Sequence, residues 1–473
     1  LRYITIALVT LALGAVCANA QTSDAGIEPT GGQVHIHGDV PGSDSGQSGL
    51  FGPYSMAREA SGTSWQPDSS PMSGHHFDLG SWQLMTHGLV NAVYGNEFGP
   101  RGDAARFGTG MLMLMGRKRL ATGSVGFRFM LTAEPAMGPA GYPLLLQTGE
   151  TADGVTPLVD RQHPHDMLME LAGTWTRNLS SENSIFIYAG LVGEPPVGPA
   201  AFMHRVSGRE NPLAPIGHHM LDATHIAQGV VTLGFVAKEG VKIEAGVFNG
   251  HEADERRWNI QTPRLNSFAG RVSVNPHRDW SLQWSVAHLD EPEQLHRGLG
   301  LDVLSMTAST TYNRRFSRAN WQTTLAWGRS KRDTIPLPVL SVASLASAQS
   351  ADTSPASHIH VVSTTTGTSG RSPIQHGLLI ESAANVGRLH TLFARYERVA
   401  KDELFAPGDA RHATLYSVGR ATVGYVVNLR VTGVVQPGIG IGASIVAVPS
   451  DLRDSYGDSP WGLAAFLRLR LGR

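Results

Sequence analysis

From about residue 81 onward the chain repeats one pattern that few folds can accommodate. Segments of roughly ten residues alternate apolar side chains with polar or small ones, the period of a β-strand with two different faces. In "VKIEAGVF", Val241, Ile243, Ala245 and Val247 share one face, and Lys242, Glu244, Gly246 and Phe248 the other. In "WSLQWSV", Trp280, Leu282, Trp284 and Val286 oppose Ser281, Gln283 and Ser285. "GLAAFLRLRLG" sets Leu467, Leu469 and Leu471 against Arg468 and Arg470. Sixteen such segments begin near 81, 104, 123, 166, 183, 225, 240, 267, 279, 303, 319, 376, 388, 413, 430 and 462.

The connections between them alternate in length. "NLSSEN", "KEG", "NPHRD" and "NVG" are turn-like, whereas 135–165, 193–224, 249–266, 289–302, 331–375 and 399–412 are long. Transmembrane β-barrels have this asymmetry, with short periplasmic turns and long extracellular loops. A soluble sandwich would also alternate. Three features favour the barrel. The segments match the ~9–11 residues of a tilted spanning strand. Aromatic residues recur near segment ends (Tyr94, Trp175, Trp258, Trp280, Trp321, Trp327, Tyr396, Trp461), as interfacial girdles do. The face opposite the apolar one carries Glu170, Lys242, Glu244, Glu381, Arg395 and Glu397, which suits a wet lumen better than a dry core. The expected fold class is therefore all-β, a transmembrane antiparallel barrel of about sixteen strands.

Residues 1–20 read as a secretory signal, with a basic Arg2, an apolar run from Ile4 to Val16 and an Ala18-Asn19-Ala20 cleavage site. Cys17, the only cysteine, would leave with it, so disulfides are not expected. Residues 21–74 are rich in Gly, Ser, Pro and Asp and read as a flexible arm, with the barrel occupying 75–473. No later segment approaches the ~20 apolar residues of a spanning helix. The 54 glycines and 27 prolines also speak against a helical protein. A net charge of -1 gives no electrostatic case for nucleic acid. The expected surroundings are outer-membrane lipid and small solutes or metal ions.

Several phrases are distinctive: "MAREASGTSWQPDSSPM" (Met56–Met72), "DRQHPHD" (Asp160–Asp166), "AFMHRVSGRENPLAPIGHHMLDATHI" (Ala201–Ile226) and "VFNGHEADERRWN" (Val247–Asn259). They resemble an uncharacterised family of bacterial outer-membrane proteins, over roughly residues 54–330. The resemblance implies location and carries no settled activity. It is distantly reminiscent of copper-handling outer-membrane proteins with His/Met-rich arms. Here the arm offers His35, His37, His75, His76, Met56 and Met72.

The chemistry-bearing residues fall in the long loops. "DRQHPHD" ends the loop 135–165, "GHHMLDATH" ends 193–224, and "HEADERRW" opens the next. All three loops leave the same, extracellular mouth. His163, His165, Asp166, His218, His219, Asp222 and His225 are candidate metal ligands, because imidazole with carboxylate suits Cu or Zn. The rival reading is that these groups hydrogen-bond one another and pin the loops, or contact substrate. Glu170, His204, Arg205, Glu244 and Arg395 are candidate selectivity residues of a pore. Met111, Met113 and Met115 alternate on one strand face, as lipid- or core-facing filler or as a soft copper path. Met167 and Met169 are expected towards lipid, opposite Glu170. His358 and His360, in the Ser/Thr-rich stretch 340–370, are expected to be solvated. Ser207 with His204 and Asp222 is the one candidate hydrolytic set, without the context of a nucleophile elbow. The expectation is a porin-like channel and not an enzyme, with metal handling as the first alternative and a hydrolase as the second.

Overall fold

The computed structural model describes residues 48–72, 74–261, 264–292, 302–333, 374–431 and 433–471. The signal segment with Cys17, the arm residues His35 and His37, and His358 and His360 lie outside the described residues. Nineteen strands follow in chain order: β1 (His75–Leu79), β2 (Trp82–Phe98), β3 (Ala104–Leu120), β4 (Gly123–Leu131), β5 (Tyr142–Thr151), β6 (Pro157–Gln162), β7 (Leu168–Asn178), β8 (Ser184–Gly193), β9 (Ala227–Ala237) and β10 (Val241–Phe248). They continue as β11 (Ser267–His277), β12 (Trp280–Leu289), β13 (Asp302–Arg315), β14 (Ala319–Asp333), β15 (Ile374–Val386), β16 (His390–Lys401), β17 (Tyr416–Asn428), β18 (Val435–Ala447) and β19 (Trp461–Leu471).

Sixteen of these form one closed antiparallel barrel. β19 closes it against β2, in register from Trp461 opposite Phe98 to Leu471 opposite Gly88. Closure leaves no unpaired barrel edge, as lipid requires. All sixteen segments expected from the alternation are barrel strands. The largest offset is at β18, which begins at Val435 rather than near 430 because the chain turns at Gly433, whose φ is +61°. The three remaining strands lie outside the ring. β1 pairs with the lower part of β2, and β5 and β6 form a hairpin within the first long loop.

The alternation is realised as lipid-facing and lumen-facing sides. Ile243, Val247, Leu282, Trp284, Leu467 and Leu469 are exposed on the outside, while Lys242, Glu244, Ser281, Ser285 and Arg468 are buried within. Each large apolar side chain moved from water into hydrocarbon contributes about 1.5–3 kcal/mol, so this outer face belongs in a membrane. One residue departs from the simple period. Met169 was expected towards lipid, but it is fully buried. The pairing of β4 with β7 slips there, with Met130 opposite Glu170 and Leu131 opposite Leu168. The bulge turns Met169 inward between two inward neighbours, and the period resumes with Leu171 outside.

The lumen is filled by the β5–β6 hairpin, whose Tyr142 and Leu144–Leu146 pack against Phe107, Phe393 and Phe466, and by two further segments. The first is residues 48–72, which composition alone reads as part of a flexible arm. The wall holds its backbone: Arg128 donates to the carbonyls of Gly62 and Ala60, Thr176 and Ser184 to those of Leu50 and Phe51, and Asn313 and Arg315 to that of Ser69. The second is the loop 194–226. Its Arg205 reaches Glu381 at 2.6 Å, its Glu210 meets Arg468 and Arg470, and Arg395 donates to the carbonyls of Leu213 and Gly208. A charged wall buried against an uncharged filling would be costly. Here carbonyls and counter-charges satisfy it.

Candidate metal centre

Where the loop 194–226 climbs back to β9, a single helical turn, His218–Leu221, carries His218 and His219, and His225 follows before the strand. The first long loop brings His163 and His165 down to the start of β7. The two loops meet, with ring centroids 5.1 Å apart for His165 and His225, 5.0 Å for His218 and His225, and 5.9 Å for His163 and His219. A ring nitrogen from each of His165, His218 and His225 lies within 4.8 Å of the others, and the same holds for His163, His218 and His219. His218 belongs to both trios.

The orientation of the rings matters more than their proximity. His165 Nδ1 is 2.7 Å from Glu134 Oε2, His218 Nδ1 is 2.7 Å from Asp222 Oδ1, and His225 Nδ1 is 2.6 Å from the Asp222 carbonyl oxygen. Carboxylate and carbonyl oxygens only accept, so each Nδ1 carries the proton and each Nε2 keeps its lone pair. The Nε2 atoms of His165 and His225 are buried and make no hydrogen bond. A histidine anchored through Nδ1–H to an oxygen acceptor is the outer-shell pattern of metal-binding histidines. Three imidazoles suit Zn(II) or Cu(II).

The electrostatics favour the neutral form for three of the five rings. Burial holds His163 near 3, with His165 and His218 adding to the effect. Burial, and then His218, keep His219 and His225 well below the ordinary imidazole value. These rings are neutral, as ligands must be. His165 moves the other way: burial opposes charge on it, but Glu134, Asp166 and Asp222 together outweigh that burial. Around the rings, Glu150 takes a left-handed backbone (φ +58°), strained for a non-glycine residue. Its carboxylate meets Arg257 and lies 3.1 Å from His163 Nε2. Gly149 (φ +106°) packs where a side-chain methyl would collide with the His219 ring.

The seven residues expected as ligands do gather at one place, but in two roles. The five histidines form the two trios. Asp222 is spent on His218, on Arg205 at 3.0 Å and on the Phe202 amide. Asp166 is spent on Gln228 at 3.1 Å and faces Arg257 at 3.5 Å. Burial, then Asp254, push Asp166 up to about 7. Glu134, which orients His165, was not foreseen. It lies thirty-one positions earlier in the chain, on a 3-10 turn, and nothing in the sequence links the two. Nor was Glu150.

The pore candidates line the lumen, and the four charged ones are already engaged. Glu170 accepts from Tyr188 and faces Arg128 at 3.2 Å, Glu244 faces Arg271 and Lys242, and Arg395 and Arg205 share Glu381. His204 packs against His87, 5.7 Å between centroids. The hydrolytic set does not assemble: the Ser207 hydroxyl is held by Thr324 and Glu381, while Asp222 serves His218 and Arg205.

No known family matches this sequence, and no curated protein does. Among solved structures, the fold is similar to OmpF of Salmonella typhi in complex with daunomycin, with TM-score 0.46 at 10% identity over 84% of this chain and 100% of that one. It is similar to OprB of Pseudomonas putida, with 0.45 at 8% over 83% and 94%, and to the outer-membrane channel DcaP of Acinetobacter baumannii, with 0.43 at 8% over 84% and 100%. Scores at this level assign no residue and no substrate. The fold and the histidine geometry carry the functional reading.

Proposed function

We propose that this chain is an outer-membrane channel protein that binds a divalent transition metal at the mouth of its barrel and passes or gates small solutes or metal ions there. The observation that carries the reading is the convergence of ring nitrogens from His165, His218 and His225, each ring fixed through Nδ1 by an oxygen acceptor, with the Nε2 atoms of His165 and His225 buried and unpartnered. The apolar outer face and closed sheet support a place in the outer membrane. Sixteen strands enclose a lumen wide enough for an aqueous path. Segments 48–72 and 194–226 and the β5–β6 hairpin occupy it, so passage requires part of this filling to move, and the loop 194–226 is the part that carries His218 and His225.

The test is calorimetry with Zn(II) on the detergent-solubilised barrel. Wild type is expected to bind, and the triple variant His165→Ala/His218→Ala/His225→Ala to lose at least ~100-fold in affinity. Equal affinity in the two proteins would refute the metal centre. A plain solute channel is the second reading, favoured by the charged lumen wall. Planar-bilayer conductance unaffected by Zn(II) in both proteins would leave that reading standing alone.

A further inference from the structure

Deeper in the lumen a second set of donor atoms surrounds a cavity of about 90 Å³. Its wall comes from two cross-strand pairs of β2 and β3, Met85 opposite Met115 and His87 opposite Met113. Met203 and His204, from the inward loop, face them, and residues 48–72 supply Met56 and Met72 at the rim. With Met111, seven of the thirteen methionines of the chain line this one space. The alternating methionines of β3 thus face the lumen, while Leu112 between them faces out.

Filler methionine does not account for the rest of the site. The β3 methionines also pack against apolar neighbours such as Phe186 and Tyr188, but packing does not call for imidazoles among them. Two imidazoles stand among the thioethers. His87 Nε2 is 3.2 Å from Met113 Sδ, and His204 Nε2 is buried with no hydrogen bond. Leaving a polar nitrogen unsatisfied costs free energy unless something binds it. The lining arginines do not bar a cation, since Arg128 faces Glu170 and both Arg209 and Arg470 face Glu210. The Glu59 carboxylate also lines the space.

We infer that this Met/His cavity is a binding site for a soft monovalent d10 cation, Cu(I) or Ag(I), distinct from the histidine centre at the mouth. Neutral, polarisable thioether sulfur with imidazole selects soft ions and holds Zn(II) weakly, whereas the all-imidazole trio takes borderline divalent ions. One loop serves both sites: residues 203–204 reach the cavity and residues 218–225 the mouth. The inference rests on the cavity's own donors and survives if the mouth centre binds nothing.

The probe is Ag(I), added in chloride-free buffer to the detergent-solubilised full chain. Wild type is expected to bind Ag(I), and Met85→Leu/Met113→Leu, which keeps volume and apolarity, to bind it at least ~10-fold more weakly with Zn(II) affinity unchanged. The mouth variant His165→Ala/His218→Ala/His225→Ala is expected to lose Zn(II) and keep the Met-dependent Ag(I) site. Equal Ag(I) affinity in wild type and the leucine variant overturns the assignment. If that variant does not fold, methionine-methyl NMR of wild type decides. Ag(I)-induced shifts confined to the cavity methionines support the site, and their absence, or equal shifts at Met137 and Met306 outside it, overturns it.

Discussion

Two buried polar regions of this molecule look alike in composition and differ in bookkeeping. In the lumen latch, every charge named meets its complement: Arg205 with Glu381 and Asp222, Arg395 with Glu381, Glu210 with Arg468 and Arg470, Arg271 with Glu244. At the mouth, each ring of the His165–His218–His225 trio is anchored at Nδ1, and His165 and His225 leave Nε2 buried without a partner. The first region pairs each of these charges with an opposite one and holds the filling in place, although Arg205 Nη2 and Glu244 Oε1 are buried without a hydrogen bond. The second is incomplete in one direction only, towards a common point. The contrast is what sets the proposed ligand set apart from a structural pin.

The largest test of that contrast is Arg205→Ala. It strands Glu381 and Asp222 as buried carboxylates with fewer partners, so a loss of about 3–5 kcal/mol is expected. Thermal unfolding in detergent should show it, and bilayer conductance should rise as the loop 194–226 loosens. An unchanged melting temperature would mean the latch is not closed in solution. Next comes Glu134→Gln, which keeps an acceptor near His165 but removes the charge. It should cost ~10–100-fold in Zn(II) affinity with little change in the metal-free melting temperature. The reverse result, lost stability with unchanged affinity, would make the mouth a second pin.

Gly149→Ala is expected to cost ~1 kcal/mol or more, because alanine disfavours φ near +106° and its methyl meets His219. Calorimetry on this variant asks which trio matters: retained Zn(II) binding assigns the ion to His165, His218 and His225. A separate, pH-dependent effect concerns Glu194, just past β8, whose carboxyl burial raises to about 8. A carboxyl raised in the folded state stabilises fully below the unfolded value near 4.5 and loses that contribution as pH rises through 8. Stability should therefore fall between about pH 5 and 8, by at most ~1.4 kcal/mol per pH unit, and Glu194→Gln should flatten that slope. A wild-type melting temperature that rises over this interval would exclude the buried, protonated form.

Much of the barrel was legible from period-two alternation, because lipid and lumen impose opposite demands on successive side chains of a strand. Lys242, Glu244 and Arg395 could be placed inside, and Leu467 and Leu469 outside, from their neighbours alone. Met169 escaped this logic because a bulge shifts the period by one, and no local signal marks it. The filling escaped it as well. Residues 48–72 have no periodicity and bury few large side chains beyond Leu50, Phe51 and Trp65. Their order comes from wall side chains bonding to their backbone, which composition does not record.

The histidine cluster shows the same division. Its ligand types and the shared mouth followed from residue identity and loop parity. Which nitrogen faces inward did not, since Glu134 and Asp222 decide it from other parts of the chain. The Met113–His87 pairing likewise needed the β2–β3 register, and His204 needed the loop to descend. By itself the sequence determined the approximate number of barrel strands, their sidedness and the inventory of donors, because these depend on periods of a few residues. Tertiary structure alone decided what fills the barrel and which lone pairs converge, because those depend on contacts between segments up to hundreds of residues apart.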